Sequence, residues 1–591
     1  MITRGDNFKQ FPLNIVGSST FGRYPKISIE KTYNMFISDT WLVDYAGYQN
    51  VPFPNGNLGS VGRGIHVSTK FNRLVVIIDN KVYLANIFFD QNILSTFDTS
   101  AIQIGTLATS TGVVYITEND IPQIVISDGQ QIYFYDPVLV PSFQVATSDG
   151  GVAPIAFTPG YIDFHDTYIL AAARNDTYVL NAPNSTWRLG VSAQVAFGIA
   201  YPTGRKLVFP NNPSGISYIG LLTTKPDNTQ AVIRMPSKGN MILVMGETVI
   251  EAWFDTGATN FPYQRDNHMS IDYGCLNPAT IASMDQLVVW LAQNEKSGPI
   301  VMYTMGGMPE KITTDGIDFL FSQLTNPTDS QAFLYRQDGH LIYHINFYTD
   351  NLSLFYDFNT KMFFHASDEF GNYFIAAQVA FFNNQYYFVS KNNGNVYAFD
   401  TIFTTYDGQS IPRIRICASI RDPDQQYTIC NDVGFTIEQG QDNDDSNFIE
   451  NLIITNGGSG YTTATLTFVG GNGFNAAATV TITAGVITSI TITNPGSNYT
   501  YPPTVLIIGD GTGATIVSTL SGSSARIDLS VSRDGGESFG NNVSQYLNPN
   551  ALRSNKLMWW NLGIANDLIC QFEFVSVGRF VAWNGEAWLR K

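Results

Sequence analysis

The chain has 591 residues, too many for one ordinary hydrophobic core, so several domains or a repeat architecture is expected. Charged residues make up 14% of it, against roughly 25% in an average soluble protein, and the formal charge is −17. This balance argues against a grip on nucleic-acid phosphates or an anionic membrane, which needs clustered Lys and Arg, although an acidic chain can still enclose DNA. No apolar stretch approaches the ~20 residues needed to span a bilayer. The opening Met1-Ile2-Thr3-Arg4-Gly5-Asp6 lacks the apolar run of a signal peptide. So little charge predicts surface hidden in an obligate assembly.

Residues 1–57 form an N-terminal arm with short strands at Asn14-Ile15-Val16, Ile27-Ser28-Ile29 and Tyr33-Asn34-Met35-Phe36. A plain lead-in and an arm that touches a neighbour are equally open readings. From 58 to 410 one pattern recurs seven times: a polar turn, then an alternating apolar strand ending on an aromatic and an Asp or Asn. The clearest copies are Asn395-Val396-Tyr397-Ala398-Phe399-Asp400 and Gln131-Ile132-Tyr133-Phe134-Tyr135-Asp136. Looser ones are Lys81–Asn86, Thr177–Asn181, Ile250–Asp255, Pro299–Tyr303 and Leu354–Asn359. One aromatic from each copy stands at 83, 133, 178, 253, 303, 356 and 397, giving gaps of 50, 45, 75, 50, 53 and 41. Apart from the 75, these match the ~40–50 residues of a four-stranded propeller blade. A β-propeller of about seven blades is therefore predicted, with six the alternative.

Turn pairs support this. Asp128-Gly129, Asp338-Gly339 and Asn393-Gly394 lie between apolar runs, where positive φ is needed. In Gly339–Phe347, Leu341, Tyr343, Ile345 and Phe347 take one face of a strand. The long gap, with Pro202, Pro210, Pro213 and Pro226, reads as an insertion at about 184–230. Helical periodicity is nearly absent, and the fold class is all-β.

Beyond 410 the character changes. Residues 411–447 and 522–591 read as the two halves of a β-sandwich-like C-terminal domain. Between them, 448–521 carries its own repeat: Ile454-Thr455-Asn456-Gly457-Gly458-Ser459-Gly460-Tyr461-Thr462 matches Ile492-Thr493-Asn494-Pro495-Gly496-Ser497-Asn498-Tyr499-Thr500 at an offset of 38. Units this small should stack into one inserted β module.

The chemistry-bearing residues are sparse. Ser532-Arg533-Asp534-Gly535-Gly536-Glu537-Ser538-Phe539 fits the Asp-box hairpin, S-x-D-x-G-x-x-aromatic, in which Asp534 takes turn amides, the glycines supply unusual φ and Phe539 anchors the loop. Asp-boxes are structural. A glycosidase needs two carboxylates across a pocket, or a sialidase-type arginine cluster. The close pair Arg413 and Arg415 lies outside the predicted ring, and no Phe-Arg-Ile-Pro signature occurs. The six histidines (66, 165, 268, 340, 344, 365) are few for a metal site, and His340 and His344 share a strand, about 13 Å apart at the strand rise. Asp442-Asn443-Asp444-Asp445-Ser446 alternates oxygens like a calcium loop, but Asn447 stands where the turn glycine belongs, so a solvated loop is favoured over calcium at Asp442 and Asp444. Cys275, Cys417, Cys430 and Cys570 read as reduced and buried, Cys417 with Cys430 being the closest pair. No catalytic, cofactor-binding or metal-binding residue is assigned, and no cofactor is expected.

Motifs in order along the chain resemble the packaged-DNA stabilisation, or tail nozzle (hub), family of short-tailed phages. Gly62-Arg63-Gly64 with Val76–Tyr83 is similar to the family's first blade. Glu251-Ala252-Trp253 with Asn260–Arg265 resembles its "EVW…FPFxR" run. Tyr273-Gly274-Cys275, Val289-Trp290-Leu291, Lys311-Ile312-Thr313-Thr314 and Gly339-His340 with Tyr343 resemble "xGC", "VxWL", "RIST" and "GHxFY". Ser532–Phe539 followed by Trp559-Trp560-Asn561-Leu562-Gly563 is similar to "SDDGGxTW…RWRRLG", with Phe539 in place of Trp and Trp560-Asn561 in place of basic residues. The module at 448–521 is not a standard part of the family.

The resemblance implies a virion tail protein without enzymatic activity, made in the host cytoplasm. It implies a homohexameric tube below the portal-bound adaptor, which retains packaged DNA, carries needle, fibre or spike proteins, and conducts the genome during ejection without sequence-specific contacts. The alternatives are a sialidase-like propeller glycosidase and a receptor-binding or adhesive propeller.

Overall fold

The computed structural model describes residues 8–22, 30–53, 58–90, 96–148, 153–155, 157–173, 195–203, 205–209, 219–222, 224–225, 227–258, 262–424, 427–439, 448–471, 473–497, 499, 502–520, 525–547, 554–575 and 577–590. They divide between two compact units, one of Ser18–Ser28 and Ala46–Gln409, the other of Met1–Gly17, Ile29–Tyr45 and Ser410–Lys591.

In the first unit, runs of β-branched and aromatic residues alternate with two-residue turns, and such runs pair with their nearest neighbours in sequence. Five sheets are regular blades, each an antiparallel meander of consecutive strands. Their strands are Gly62–Ser68, Arg73–Ile78, Lys81–Phe89 and Phe97–Thr106; Tyr115–Glu118, Ile124–Ser127, Ile132–Tyr135 and Phe143–Val145; and Thr229–Arg234, Met241–Gly246, Ile250–Asp255 and Tyr263–Ile271. The remaining two blades are Ala282–Met284, Leu287–Gln293, Ile300–Thr304 and Glu310–Lys311, with Gly274–Cys275 added, and Ser330–Gln337, His340–Phe347, Leu352–Asp357 and Met362–Ala366.

The count is five regular blades where about seven are predicted. The other two stretches form sheets of a different make. Ala376–Phe382, Gln385–Ser390 and Val396–Asp400 supply only three strands of their own, and the fourth is Gly47–Asn50 from the N-terminal region, antiparallel with Tyr397 opposite Asn50. Pro159–His165 and Tyr168–Ala173 pair on to Val195–Thr203, which branches to Lys206–Val208 and Ile219–Leu221. Part of the predicted 184–230 insertion is therefore sheet. Its alternating Val195, Phe197 and Ile199 can pair despite the prolines that follow.

Buried cores link the sheets in succession. The first blade shares one with the second, through Val75, Ile77 and Ile126. It shares another with the sheet closed by Gly47–Asn50, through Leu74, Val76, Tyr387 and Val389. This joins the two ends of the propeller unit. Both central residues of the Asp338-Gly339 turn have positive φ, as the hairpin twist requires.

In the second unit, two sheets lie face to face. One runs Phe8–Leu13, Gly585–Arg590, Thr428–Gln439, Phe580–Ala582, Trp41–Asp44, Met35–Ser38, with Ser554–Ala565 also on Thr428–Gln439. The other runs Lys31–Tyr33, Arg413–Ile416, Ile569–Val575, Arg526–Ser532, Val543–Tyr546. Phe435 and Trp559 of the first meet Phe572 of the second at centroid distances of 5.1 and 5.4 Å. The predicted N-terminal arm is thus strand in both units.

The inserted stretch makes three two-stranded ribbons. Ribbon I pairs Ile449–Ser459 with Thr512–Leu520, ribbon II Ala464–Val469 with Thr504–Gly509, and ribbon III Phe474–Thr483 with Val486–Ser497. Ile449–Ser459 lies beside Val486–Ser497, Ala464–Val469 beside Phe474–Thr483, and Thr504–Gly509 beside Thr512–Leu520, so the ribbons close a ring of six strands.

Candidate functional site

The recurrent aromatic–Asp pattern has one structural position. Tyr83, Tyr133, Trp253, Tyr303, Tyr356 and Tyr397 each stand on the third strand of their sheet. The copy at Tyr178 falls outside the described residues. Five of the six rings are buried, as blade packing demands, and Tyr303 is half-buried. The closing aspartate caps the strand end: Asp136, Asp255, Asp357 and Asp400 accept the backbone N–H two residues on, from Val138, Gly257, Asn359 and Ile402, at 3.0, 2.7, 3.0 and 3.1 Å. This is an Asx turn, which holds a chain reversal with a side-chain oxygen. The pattern is a building rule for blades.

The first strands of six sheets converge on a cavity of about 280 Å³. Its walls include His66, Tyr115, Tyr161, Ser283, Phe333 and Gln378, and among the described residues no Asp or Glu lines it. Gln378 spans it at one side, its Oε1 accepting from the Ile65 amide (3.2 Å) and its Nε2 donating to the Val114 carbonyl (3.3 Å). Burial lowers the His66 pKa, against the pull of the Glu118 charge, which favours a neutral ring.

One carboxyl pair that sequence reasoning missed joins two sheets. Asp166, in the turn between Pro159–His165 and Tyr168–Ala173, meets Asp255 at the end of a third strand. A hydrogen bond to Asp255, then burial, then the charge of Asp255 raise the Asp166 pKa. The two come from different sheets, and nothing local announces their meeting. Beside them, His165 Nε2 donates to the Gly239 carbonyl (3.0 Å), and its Nδ1 meets the Tyr263 hydroxyl at 2.9 Å.

Three further histidines are structural ties. His340 Nδ1 meets Asp357 Oδ2 at 2.9 Å, His344 Nε2 meets Asn346 Oδ1 at 2.9 Å, and His365 Nδ1 meets Ser19 Oγ at 2.7 Å. All three rings are buried, and desolvation pushes His344 down to about 3. A nucleophile such as Ser19 needs access to substrate, and this one is 6% exposed. Among the described residues, no three His, Cys, Asp or Glu side chains cluster as a metal ion requires. Asp442 and Asp444 lie outside the described residues. The four cysteines are free and buried, and burial pushes Cys417 up to about 11 and Cys430 up to about 12.

The Asp-box closes as its residues dictate. Asp534 accepts the amides of Glu537 (3.1 Å) and Ser538 (3.0 Å), and Gly535 and Gly536 have φ of +82° and +91°. Hydrogen bonds from the Ser532 and Ser538 hydroxyls, with the Ser538 amide, hold the Asp534 carboxyl well below the usual range. Phe539, expected as a core anchor, is only half-buried. No helix among the described residues is long and apolar enough to cross a membrane.

Residues 210–404 match the family model described as Bacteriophage P22 Gp10, beta-propeller, within the stretch that the sequence motifs single out. No curated protein matches the chain. Among solved structures, the N-terminal domain of Nup159 is similar at 9% identity and a TM-score of 0.34, over 63% of this chain and 98% of that one. Virginiamycin B lyase from Staphylococcus aureus is similar at 11% identity and a TM-score of 0.36, over 60% and 99%. Likenesses so distant carry nothing about activity or partners.

Proposed function

We propose, from a propeller that belongs to the Bacteriophage P22 Gp10 phage-stabilisation family, that this chain is the tail nozzle, or hub, of a short-tailed phage. In this reading six copies close a tube below the portal-bound adaptor. The tube retains packaged DNA, carries needle, fibre or spike proteins, and conducts the genome at ejection. The protein acts without catalysis or cofactor and resides in the virion after assembly in the host cytoplasm.

The family match over 210–404 carries the reading. The recurrent aromatics and aspartates, which build blades, suit a structural part. A net charge of −17 suits a conduit through which DNA slides, because phosphates find little to hold them. Native mass spectrometry and negative-stain imaging of the purified protein, alone and with phage connector proteins, test this. Six-membered rings that dock on the adaptor are expected. A monomer that neither assembles nor docks overturns the reading, and carboxylate-dependent turnover of a glycoside panel would replace it with the hydrolase alternative.

A further inference from the structure

The 38-residue repeat of the inserted module contains one substitution that changes chemistry. Ribbon I carries Asn456-Gly457-Gly458, and the mates in ribbon III are Asn494-Pro495-Gly496. The two sites fold alike. Asn456 Oδ1 accepts the Gly458 amide at 3.0 Å, and Asn494 Oδ1 accepts the Gly496 amide at 2.9 Å. Gly458 and Gly496 share a positive φ, +65° and +72°. Asn456 stands opposite Thr515 and Gly457 opposite Ala514, and their mates stand in the same register opposite Ala477 and Ala476.

Asparagine is thermolabile because the backbone nitrogen that follows it can attack its side-chain carbonyl carbon. Three features favour that attack at Asn456. The nucleophile is uncommitted: a ladder that accepts Pro495 at the mate position takes no hydrogen bond from this nitrogen, and Pro495 itself has no N–H. The Gly458 N–H is aimed at Oδ1, the oxygen on which charge develops, and so serves as an oxyanion donor. The leaving group is unheld, since Asn456 is exposed and its Nδ2 makes no hydrogen bond among the described residues. Glycine is also imposed at 457. A Cβ there would sit 2.6 Å from Val486 Cγ1 and 2.7 Å from the Ile487 carbonyl oxygen, so no side chain shields the nitrogen.

Two other Asn-Gly pairs among the described residues lack this combination. Asn393 is half-buried, and its Nδ2 donates to the Tyr397 hydroxyl at 2.9 Å. Asn584 spends Oδ1 on the distant Val16 amide at 2.8 Å. We propose that Asn456 is a site of spontaneous covalent modification. The Gly457 nitrogen bonds to Cγ, the Cγ–Nδ2 bond breaks, and Nδ2 leaves as ammonia with the Gly457 proton. Water then opens the cyclic imide at either carbonyl, giving aspartate or a β-linked isoaspartate. Asn494 lacks the nucleophile and persists. The product adds a carboxylate to a module whose charged residues are Glu450 and Asp510. The β linkage adds a backbone atom where Gly457 presses on Val486 and Ile487, so the contact between ribbons I and III loosens irreversibly.

The test incubates the full chain at mildly alkaline pH in water carrying heavy oxygen and maps the labelled acid by peptide mass spectrometry. Label is expected at 456 and not at 494. It should appear about tenfold faster than at 393 or 584, less than the ~100-fold of a buried oxyanion donor because this one meets solvent. Pro495→Gly restores the nucleophile, and Gly457 shows that glycine is accommodated at this position. Asn494 should then convert at a rate comparable with Asn456. Limited proteolysis of labelled chains should be faster inside 448–521 than in fresh protein. No label at 456, equal label at 393 or 584, or a silent Asn494 in the Pro495→Gly variant overturns the inference. Unchanged cleavage of labelled chains overturns the loosening of the ribbon contact. None of these outcomes depends on ring assembly.

Discussion

The ring of Tyr461 lies flat on Gly511: a Cβ added there would sit 2.4 Å from its Cγ, and Tyr499 covers Gly473 with the same 2.4 Å approach. Each half of the inserted module lends its tyrosine to the glycine of the other. Neither half can bury its own tyrosine alone, which explains why the repeat occurs twice.

Gly511→Ala and Gly473→Ala should therefore destabilise the module by similar amounts. Forcing a methyl group into a packed contact costs about 1–3 kcal/mol. Limited proteolysis read by mass spectrometry, with cleavage rates compared inside 448–521, checks this. Gly513→Ala is a second comparison: a Cβ there meets nothing within 4 Å, but its φ of +81° is strained for alanine, so any loss there reports backbone strain alone.

The Asx turns that close the third strands allow a graded prediction. Asp400→Ala removes one amide acceptor at 3.1 Å and should cost about 1 kcal/mol. Asp136→Ala removes the same kind of turn bond and also leaves Gln123 and Arg205 without their carboxylate. Its loss should reach about 3 kcal/mol, the lower end for orphaning one member of a buried pair, since Arg205 is partly solvated. Urea unfolding of both variants against the parent gives the ranking.

Those turns were legible in the sequence because an aromatic followed by Asp after an alternating strand is a local signal. So were the Asp338-Gly339 hairpin and the 38-residue repeat. The closing partner of Val396–Asp400 was not legible: Gly47–Asn50 is four residues with no distinctive pattern, and its pairing spans most of the unit. The blade count suffered for this reason. The meeting of Asp166 with Asp255 was equally silent, because each residue looks like an ordinary turn aspartate. The tyrosines of the module were visible as repeats, but not that each would serve the other half.

The Asp166–Asp255 contact makes stability depend on pH in a definite sense. The folded pKa of Asp166 is raised above 3.8, so the native state holds that proton more tightly than the unfolded chain. The resulting stabilisation is full below the unfolded value and is lost as pH rises through the raised folded value. Asp166→Asn keeps a donor for Asp255 at every pH. The variant should gain on the parent as pH moves from acid to neutral, with the two thermal midpoints converging at low pH. A parent that gains relative to the variant over that range contradicts the sign.

Arg415 is wholly buried, and its guanidinium reaches four groups of the N-terminal stretch. It donates to the carbonyls of Ile15 and Asn14, both at 3.0 Å, to Thr32 Oγ1 at 3.2 Å and to Glu30 at 2.5 Å. Arg415→Leu removes these donors from Glu30, Asn14 and the buried Ile15 carbonyl, a loss of about 3 kcal/mol, the lower end for a broken buried pair, since Glu30 is partly solvated. Arg415→Lys should recover little, because an ammonium is a point donor and cannot serve carbonyl and carboxylate in the fork geometry of guanidinium. The readout is local as well as global. Phe8–Leu13 is antiparallel to Gly585–Arg590, and Lys31–Tyr33 to Arg413–Ile416. Hydrogen exchange in both N-terminal strands should rise in either variant before the propeller strands respond. Equal acceleration throughout would mean that Arg415 supports global stability and not the docking of this stretch.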